Sequence, residues 1–487
     1  MVNTSASDAG VHLDLDPRRV VAQLFLPGDS TPGSSSRTQG VLERALAMSA
    51  DEVAAAAAAV LRRFQPRHPD LPELLRRNAD TVRAVLAAKL SPDQEIFIGS
   101  IFTAEFAVEG AALCNPSVVA HPNQDDLEPG QLRVVVSLRS IGEGHLSSIQ
   151  FCEAIIGPGR RWEFQPRELP LVLPQRAEGR WRREHLVRAL ESAGPSGELA
   201  HSVALALPET FGSRAVELAV QELPAVFMSQ PAARSQLEAI RVVAGSAYRA
   251  TFAPGTSLSQ RVLLPAADEE SRGVEDARFV GFTDATGQFD YRATYTAYDG
   301  RGIATRLLVT NDFRTFEVQR MTGTPAETKG MALFPRPVGG RLLALGRGDG
   351  EAVSLSSSTD GLDWGPEEPV HGPGRIWDLV QGGNCGSPLE TDWGWLVLTH
   401  GVGPLRAYSI GAVLLDLDDP GRVIAILPTP LLEPAEDDWE GYVPNVVYTC
   451  GAIIHEQTLW IPYGVADCRV RVASIPLAEL IAGMVSA

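Results

Sequence analysis

Glu275 and Asp276 stand side by side in Gly273-Val274-Glu275-Asp276-Ala277-Arg278-Phe279, with an arginine two residues on and an apolar run, Phe279 to Phe282, behind them. In an extended segment neighbouring side chains point to opposite faces, which predicts different work for the two carboxylates. One can face a pocket while the other holds Arg278 or a backbone amide. A carboxyl presented at a strand start is what acid catalysis on a glycosidic bond needs. The same residues also fit a structural Asp–Arg pair closing a loop, so the seven residues alone leave both readings open.

Other polar clusters fall at the ends of apolar strands. Asn115-Pro116-Ser117 precedes Val118-Val119, and Ser137-Leu138-Arg139 ends a valine-rich run that leads into Gly142-Glu143-Gly144-His145. Lys329 heads Gly330-Met331-Ala332-Leu333-Phe334-Pro335, and Arg347 follows Gly346 at the end of the next strand. Asn384-Cys385-Gly386-Ser387 precedes Gly394 to Gly401, which carries His400, and Tyr463 to Asp467 is an aromatic strand ending in a carboxylate. Each has an ordinary explanation: a lysine snorkels, a histidine is satisfied in a core, an arginine is paired. Their recurrence at the ends of otherwise buried strands makes those separate explanations harder to hold for all of them together.

The elements that must position these groups are mostly short strands. The first stretch, to about Gln39, is rich in Ser, Thr, Gly and Pro and reads as a mobile arm with one apolar patch, Val20 to Leu26. Ser49 and Glu52 form a capping box that opens a helix over Ala50 to Phe64. A second helix is expected over Leu71 to Leu90, with Leu74, Leu75, Val82, Val85 and Leu86 on one face. From about Gln94 strands broken by Gly, Pro, Asn and Asp take over, with helical character returning once between Trp181 and Ala247. A loose repeat of strand and tight turn, acidic in the last three copies, runs through Ala154 to Trp162 (a fainter copy), Leu308 to Phe316, Ser356 to Trp364 and Leu414 to Pro420, with an aromatic after the turn in the first three. The last three copies are spaced by roughly 50 residues, which favours propeller blades over an open sandwich. The fold expected is an all-β core, a β-propeller, with an N-terminal helical arm (1–94), a first β part (95–180), a helical insertion (181–247) and the remaining β part (248–487).

The balance of 42 basic against 60 acidic residues, a formal charge of −18, argues against a broad nucleic-acid or anionic-membrane surface. Five scattered cysteines without a CxxC pair argue against a zinc site or a disulfide framework. No apolar stretch is long enough to span a bilayer, and Met1 to Leu24 lacks an apolar leader, so a reducing cytoplasm is the expected location. Neither a metal nor an organic cofactor is expected.

The C-terminal half resembles glycoside hydrolase family 130, the β-mannoside phosphorylases and related β-mannosidases. The residues that carry the resemblance are Val274 to Arg278, Thr294 to Tyr298, Lys329 to Pro335, Gly394 to Val402, Leu414 to Pro420, Gly441 to Gly451 and Tyr463 to Asp467. They stand in family order across about residues 95–480, outside the N-terminal arm and the 181–247 helices.

The resemblance implies a five-bladed β-propeller with its site at the channel mouth. It makes Asp276 the general acid, passing its proton through the 3-hydroxyl of the bound mannosyl unit to the departing oxygen. Inorganic phosphate, a co-substrate rather than a cofactor, then attacks the anomeric carbon and gives α-mannose 1-phosphate. Lys329 and His400 match phosphate-binding positions. Arg139, Arg347 and Asp467 match positions lining the mannose subsite, and Asn115 and Tyr295 join them as substrate-binding candidates. An acid must hold a proton, so burial is expected to raise the pKa of Asp276.

The family's Glu-Asp-Pro-Arg is Glu-Asp-Ala-Arg here, which frees Asp276 from the restriction a proline imposes on its predecessor. A glycine-rich Gly382-Gly383 loop replaces a proline-rich one, and Arg406 is a further cation without a family role. Two alternatives accompany the phosphorylase reading: an exo-acting β-1,2-mannosidase, with Glu143, Glu153 and Glu390 as candidate bases, and a non-catalytic propeller that binds sugars or proteins. The expected partners are a β-mannoside and phosphate, with self-association through the N-terminal helices.

Overall fold

The computed structural model describes residues 4–27, 35–83, 89–194, 197–228, 231–348 and 350–487. The protein is mostly β with some helices and divides into two compact units, one of residues 16–110 and 168–172, the other of residues 1–15, 111–167 and 173–487. Among the described residues no helix is long and apolar enough to cross a membrane.

The smaller unit packs the helices Ser35–Leu46, Ala50–Phe64, Leu71–Arg83 and Pro92–Ile101 around Leu42, Leu75, Val82, Ile98 and Phe102. The Ser49–Glu52 capping box is present, its reciprocal bonds satisfying orphan amides at the helix start. Two expectations change here. The segment read as a mobile arm to Gln39 contains the strand Val20–Leu24, paired with Thr103–Ala107, and the start of the Ser35–Leu46 helix. Strands were expected from Gln94, yet Pro92–Ile101 is a helix, because Ser91 and Gln94 form a second capping box with Pro92 in the first turn. The second predicted helix is described to Arg83; Val85 and Leu86 lie outside the described residues. A fully buried Arg19–Glu109 ion pair at 3.0 Å ties the strand entry to the end of the unit.

Among the described residues the larger unit holds five antiparallel strand groups in chain order. The first is Ala112–Ala120, Leu132–Ile141, Ser147–Gly157 and Arg161–Phe164. The second is Gly273–Thr283, Phe289–Tyr298, Ile303–Thr310 and Thr315–Arg320, and a single parallel contact, Gly273 with Ser147, links it to the first. The third is Ala332–Leu333, Leu342–Gly346, Val353–Ser358 and Glu368–His371. The fourth is Gln381–Asn384, Gly394–Val402, Tyr408–Leu415 and Val423–Ile426. The fifth is Val447–Tyr448, Thr458–Val465 and Arg469–Pro476, completed by Ser7–Asp14 from the start of the chain.

The loose sequence repeat falls at one place in four of these groups, the turn between the third and fourth strands. Asp312, Asp360 and Asp416 each use one carboxylate oxygen to accept two backbone N–H groups of their own turn, at 2.8 to 3.0 Å. A short acidic side chain closes a turn on its own backbone, which is why the pattern is legible without a partner. Between the first and second groups the helices Arg183–Ala193, Glu198–Ala206, Ser213–Gln221, Ala225–Met228 and Ala233–Gly245 form a separate apolar cluster around Leu186, Val203, Leu237 and Ile240.

Candidate active site

Two strands break their pleat where the site forms. The register of Gly273–Thr283 on its neighbour shifts between Glu275 and Arg278, and Asp276 there has φ +56°. Ala112–Ala120 shifts between Cys114 and Ser117, with Asn115 at φ +49°. Both are bulges, which re-aim one side chain away from the strand's alternation. Asp and Asn tolerate this left-handed backbone better than most residues.

The bulges bring the two side chains together: Asn115 Nδ2 donates to Asp276 Oδ1 at 2.6 Å. Arg139 spans the two carboxylates, donating from one nitrogen to Asp276 Oδ1 at 3.0 Å and from the other to Glu275 Oε1 at 2.8 Å. Lys329 Nζ completes the ring on Glu275 Oε2 at 2.8 Å. The expectation from alternation is thereby corrected. Glu275 does not hold Arg278; with the pleat broken, both carboxylates reach one arginine. Arg278 turns to the carbonyl of Gly330 at 2.9 Å and the Tyr448 hydroxyl at 2.9 Å.

A cavity of about 540 Å³ adjoins this ring; its lining includes the polar residues Asn115, Asp276, Arg347, His400 and Asp467 and the apolar residues Leu405, Val443 and Pro444. Every one of the five strand groups supplies a lining residue: Asn115, Asp276, Arg347, His400, and Tyr448 with Asp467. Arg347 donates toward His400 Nε2 at 3.3 Å. Gly383 makes that approach possible, because a Cβ at this position would collide with both side chains. Burial, then Arg347 and Arg278, hold the His400 imidazole well below its ordinary range, so it is neutral. Its contribution to the cavity is a hydrogen bond, and the charge comes from Arg347.

Burial pushes the Asp276 carboxyl upward, but Arg139, the Asn115 amide, Arg278 and Lys329 together pull it down to about 2. The expected rise is therefore corrected: hydrogen bonds from Arg139 and Asn115, with the nearby charges of Arg278 and Lys329, outweigh desolvation. Asp467 behaves oppositely. Burial lifts it to about 6, Arg139 opposes the rise and Asp276 adds to it. A carboxyl raised on folding destabilises only where it must ionise, a cost absent below about pH 4 and complete above about pH 6. Asp467→Asn is expected to gain stability over the wild type at pH 7, by up to roughly 3 kcal/mol, and none at pH 4. Urea unfolding at the two pH values measures this; an equal change at both would show that ionisation of Asp467 is not involved.

Of the residues singled out from sequence, Asn115, Asp276, Arg347, His400 and Asp467 line the cavity, and Arg139 and Lys329 join it through Asp276 and Glu275. Tyr295 is not brought to them. It is 3 % exposed, its hydroxyl donates to Glu270, and it lies on the opposite face of its strand from the pairing of Thr296 with Glu275. The candidate bases lie elsewhere as well: Glu153 pairs with His121 at 3.1 Å, Glu390 with Arg336 at 2.5 Å, and Glu143 sits in the short 3₁₀ turn Glu143–His145. Arg406, which had no role, lines the cavity beside Leu405. Sequence reasoning missed Glu275 as the bridge between Arg139 and Lys329, and Tyr448, which stands in the Gly441 to Gly451 stretch where only its aromatic character hinted at it.

Residues 254–485 match the family model described as beta-1,4-mannooligosaccharide phosphorylase. The chain is 34% identical over 227 residues to the beta-1,2-mannobiose phosphorylase of Listeria innocua, covering 45% of this chain and 62% of that enzyme, so less than two thirds of that relative is matched. It is 31% identical over 235 residues to the 1,2-beta-oligomannan phosphorylase of a Thermoanaerobacter species, covering 46% of this chain and 75% of the relative. The solved structure of the Listeria innocua phosphorylase in complex with beta-1,2-mannobiose aligns over 78% of this chain and 92% of that one, at 21% identity and a TM-score of 0.45.

Proposed function

This chain belongs to glycoside hydrolase family 130, and from that premise we propose that it cleaves a β-mannosidic bond, β-1,2 in particular, with inorganic phosphate and inversion at the anomeric carbon. The observation that carries the reading is one cavity holding both Asp276, fixed by Asn115 and Arg139, and the Arg347–His400 pair. We read the five strand groups as the blades of a five-bladed propeller, with the helices over 183–245 inserted between the first two. A radial arrangement about one axis explains why each group contributes to one cavity.

In the reaction a phosphate oxygen forms a bond to C1 of the mannosyl unit as the bond from C1 to the leaving oxygen breaks. That oxygen takes its proton from the sugar 3-hydroxyl, which is resupplied by Asp276. Phosphate is a sufficient nucleophile, so the site needs cations and aligned donors rather than a second carboxylate. Arg347 and Arg406 are cations of the cavity wall, with neutral His400 as the hydrogen-bonding neighbour of Arg347 and Lys329 close to Glu275. Before substrate binds, Asp276 is ionised at neutral pH, since Arg139 and its companions hold it at about 2. A bound phosphate dianion offsets those cations and a bound sugar removes water, and both effects raise the carboxyl toward the proton-carrying state that an acid requires.

Among the described residues the carboxylates lining the cavity are Asp276 and Asp467. Hydrolysis would therefore draw its base from Asp467, whose pKa of about 6 suits that role and keeps the second reading in play. Incubation with β-1,2-mannobiose, with and without phosphate, separates the two. α-Mannose 1-phosphate formed only with phosphate supports phosphorolysis, and free mannose formed at a phosphate-independent rate overturns it in favour of hydrolysis. Lys329→Ala is expected to raise the KM for phosphate about tenfold or more, the loss of one charge-assisted contact, with a smaller effect on the KM for the mannoside. Equal losses in both constants would make the lysine a structural partner of Glu275.

A further inference from the structure

Two loops of the larger unit share one backbone. In 142–146 the Gly142 N–H donates to the Leu146 carbonyl at 3.0 Å, and in 403–407 the Gly403 N–H donates to the Ala407 carbonyl at 3.0 Å. The entering glycines have φ and ψ of −104° and −160° in one loop and −104° and −161° in the other. Both loops then require two left-handed residues in succession, Gly144 (φ +67°) with His145 (φ +61°), and Leu405 (φ +56°) with Arg406 (φ +56°). Where backbone alone decides, the first of these positions is glycine. At 405 the same backbone carries a leucine, which its conformation disfavours, and 94% of that residue is exposed.

Neither packing nor backbone geometry accounts for this leucine. Its location does. Leu405 lines the active cavity on the wall that also holds Val443 and Pro444, and Tyr442 beside them is 39% exposed. The sister loop grips the same rim, through a 2.7 Å hydrogen bond between His145 Nδ1 and the Tyr442 hydroxyl. The Tyr408 N–H donates to the Asn445 carbonyl at 2.9 Å and holds the wall together. The cavity thus joins the polar groups around Asp276 to a mixed wall, on which the apolar side chains of Leu405, Val443 and Pro444 stand among Arg406, Tyr408 and Asn445.

We propose that this wall is a subsite for an apolar group on the leaving-group side, so that the preferred substrate is a β-mannoside whose leaving unit carries an alkyl or aryl substituent. The inference rests on the mannoside reading above. The mannosyl unit and phosphate are held by the polar groups around Asp276, and the leaving unit must pass the wall on its way to solvent. In the synthetic direction a hydroxyl of the acceptor forms a bond to C1 of α-mannose 1-phosphate, the bond from C1 to the phosphate oxygen breaks, and the acceptor's proton returns through the 3-hydroxyl to Asp276. An apolar tail on that acceptor gains by covering Leu405 and Val443.

The test uses the full chain and two acceptors, methyl and octyl β-mannoside, the latter below its micelle concentration. Their binding is measured by calorimetry and their use by phosphate release from α-mannose 1-phosphate. The octyl compound is expected to bind and react about tenfold better, and Leu405→Asn, whose side chain suits a left-handed backbone, brings the octyl-to-methyl ratio to about one. Equal affinities in the wild type, or a ratio unchanged by Leu405→Asn, overturn the proposal. If no acceptor is turned over while the octyl compound still binds more tightly and Leu405→Asn removes that advantage, the phosphorylase reading fails and the subsite stands. If the ratio is one and the wild type sediments as a larger species than Leu405→Asn, the wall belongs to a second copy of this chain and the proposal is overturned.

Discussion

Asp276→Asn is expected to lower kcat for β-mannoside cleavage by roughly 10² to 10⁴-fold, the range a positioned proton donor contributes. The substitution is close to isosteric, and asparagine tolerates the φ of +56° at this bulge as well as aspartate does. It can also keep one polar contact with Asn115 and remove one negative charge from Arg139, so the fold and the mannoside affinity should survive. Steady-state product analysis together with mannoside binding provides the measurement. Normal turnover would dismiss Asp276 as the acid. Lost turnover with lost folding, seen by circular dichroism, would mean that the carboxylate is required for structure instead.

The second large effect belongs to Arg139. Its guanidinium bridges Glu275 and Asp276 and also donates to Ser147 Oγ at 3.1 Å. Arg139→Met removes the charge while keeping much of the volume, and leaves two mostly buried carboxylates with fewer partners. Breaking a buried pair in this way costs about 3–5 kcal/mol. The sign of the pH dependence follows from Asp276. Its folded pKa is depressed to about 2, so in the wild type its contribution is complete above about pH 4 and is lost as the pH falls toward 2. Without Arg139 the carboxyl rises, and the deficit of the variant should be smallest near pH 2 and grow through pH 3 to 7. Urea unfolding across that range measures it; a deficit independent of pH would assign the loss to packing of the arginine stem rather than to charge.

The two substitutions touch one network and should not add. With Arg139 gone, Asp276→Asn is expected to restore part of the stability, because the buried charge it removes no longer has its main partner. The same logic sets Asp467 apart. Arg139 lowers it as well, yet burial still leaves it near 6, so the cavity holds two carboxyls with opposite tendencies a short way from one arginine.

Local chemistry was legible in the chain. The capping box at Ser49 and Glu52, the acidic turns at Asp312, Asp360 and Asp416, and the pairing of Glu275 with Asp276 at a strand start are each set by residues within a few positions of one another. The recurrence of those turns at the same place in three strand groups is why a β repeat could be read without structure. Of the residues singled out from the sequence, the fold brings Asn115, Arg139, Asp276, Lys329, Arg347, His400 and Asp467 to or beside one cavity, while the Tyr295 side chain is buried against Glu270.

The tertiary structure decided how those residues act on each other. Asn115 and Asp276 are 161 positions apart and Arg139 and Asp276 137 apart, and no local pattern predicts that one amide and one guanidinium converge on one oxygen. Alternation along a strand predicted that Glu275 and Asp276 would part; the bulge at 275–278, set by pairing with the neighbouring strand, brings both to Arg139. Burial alone predicted a raised Asp276, and the direction reversed because several cations and an amide reach the cavity from separate strand groups. Sequence determines which groups are available and how the chain turns near them. Their charge states depend on distances between strand groups, and only the closed fold sets those.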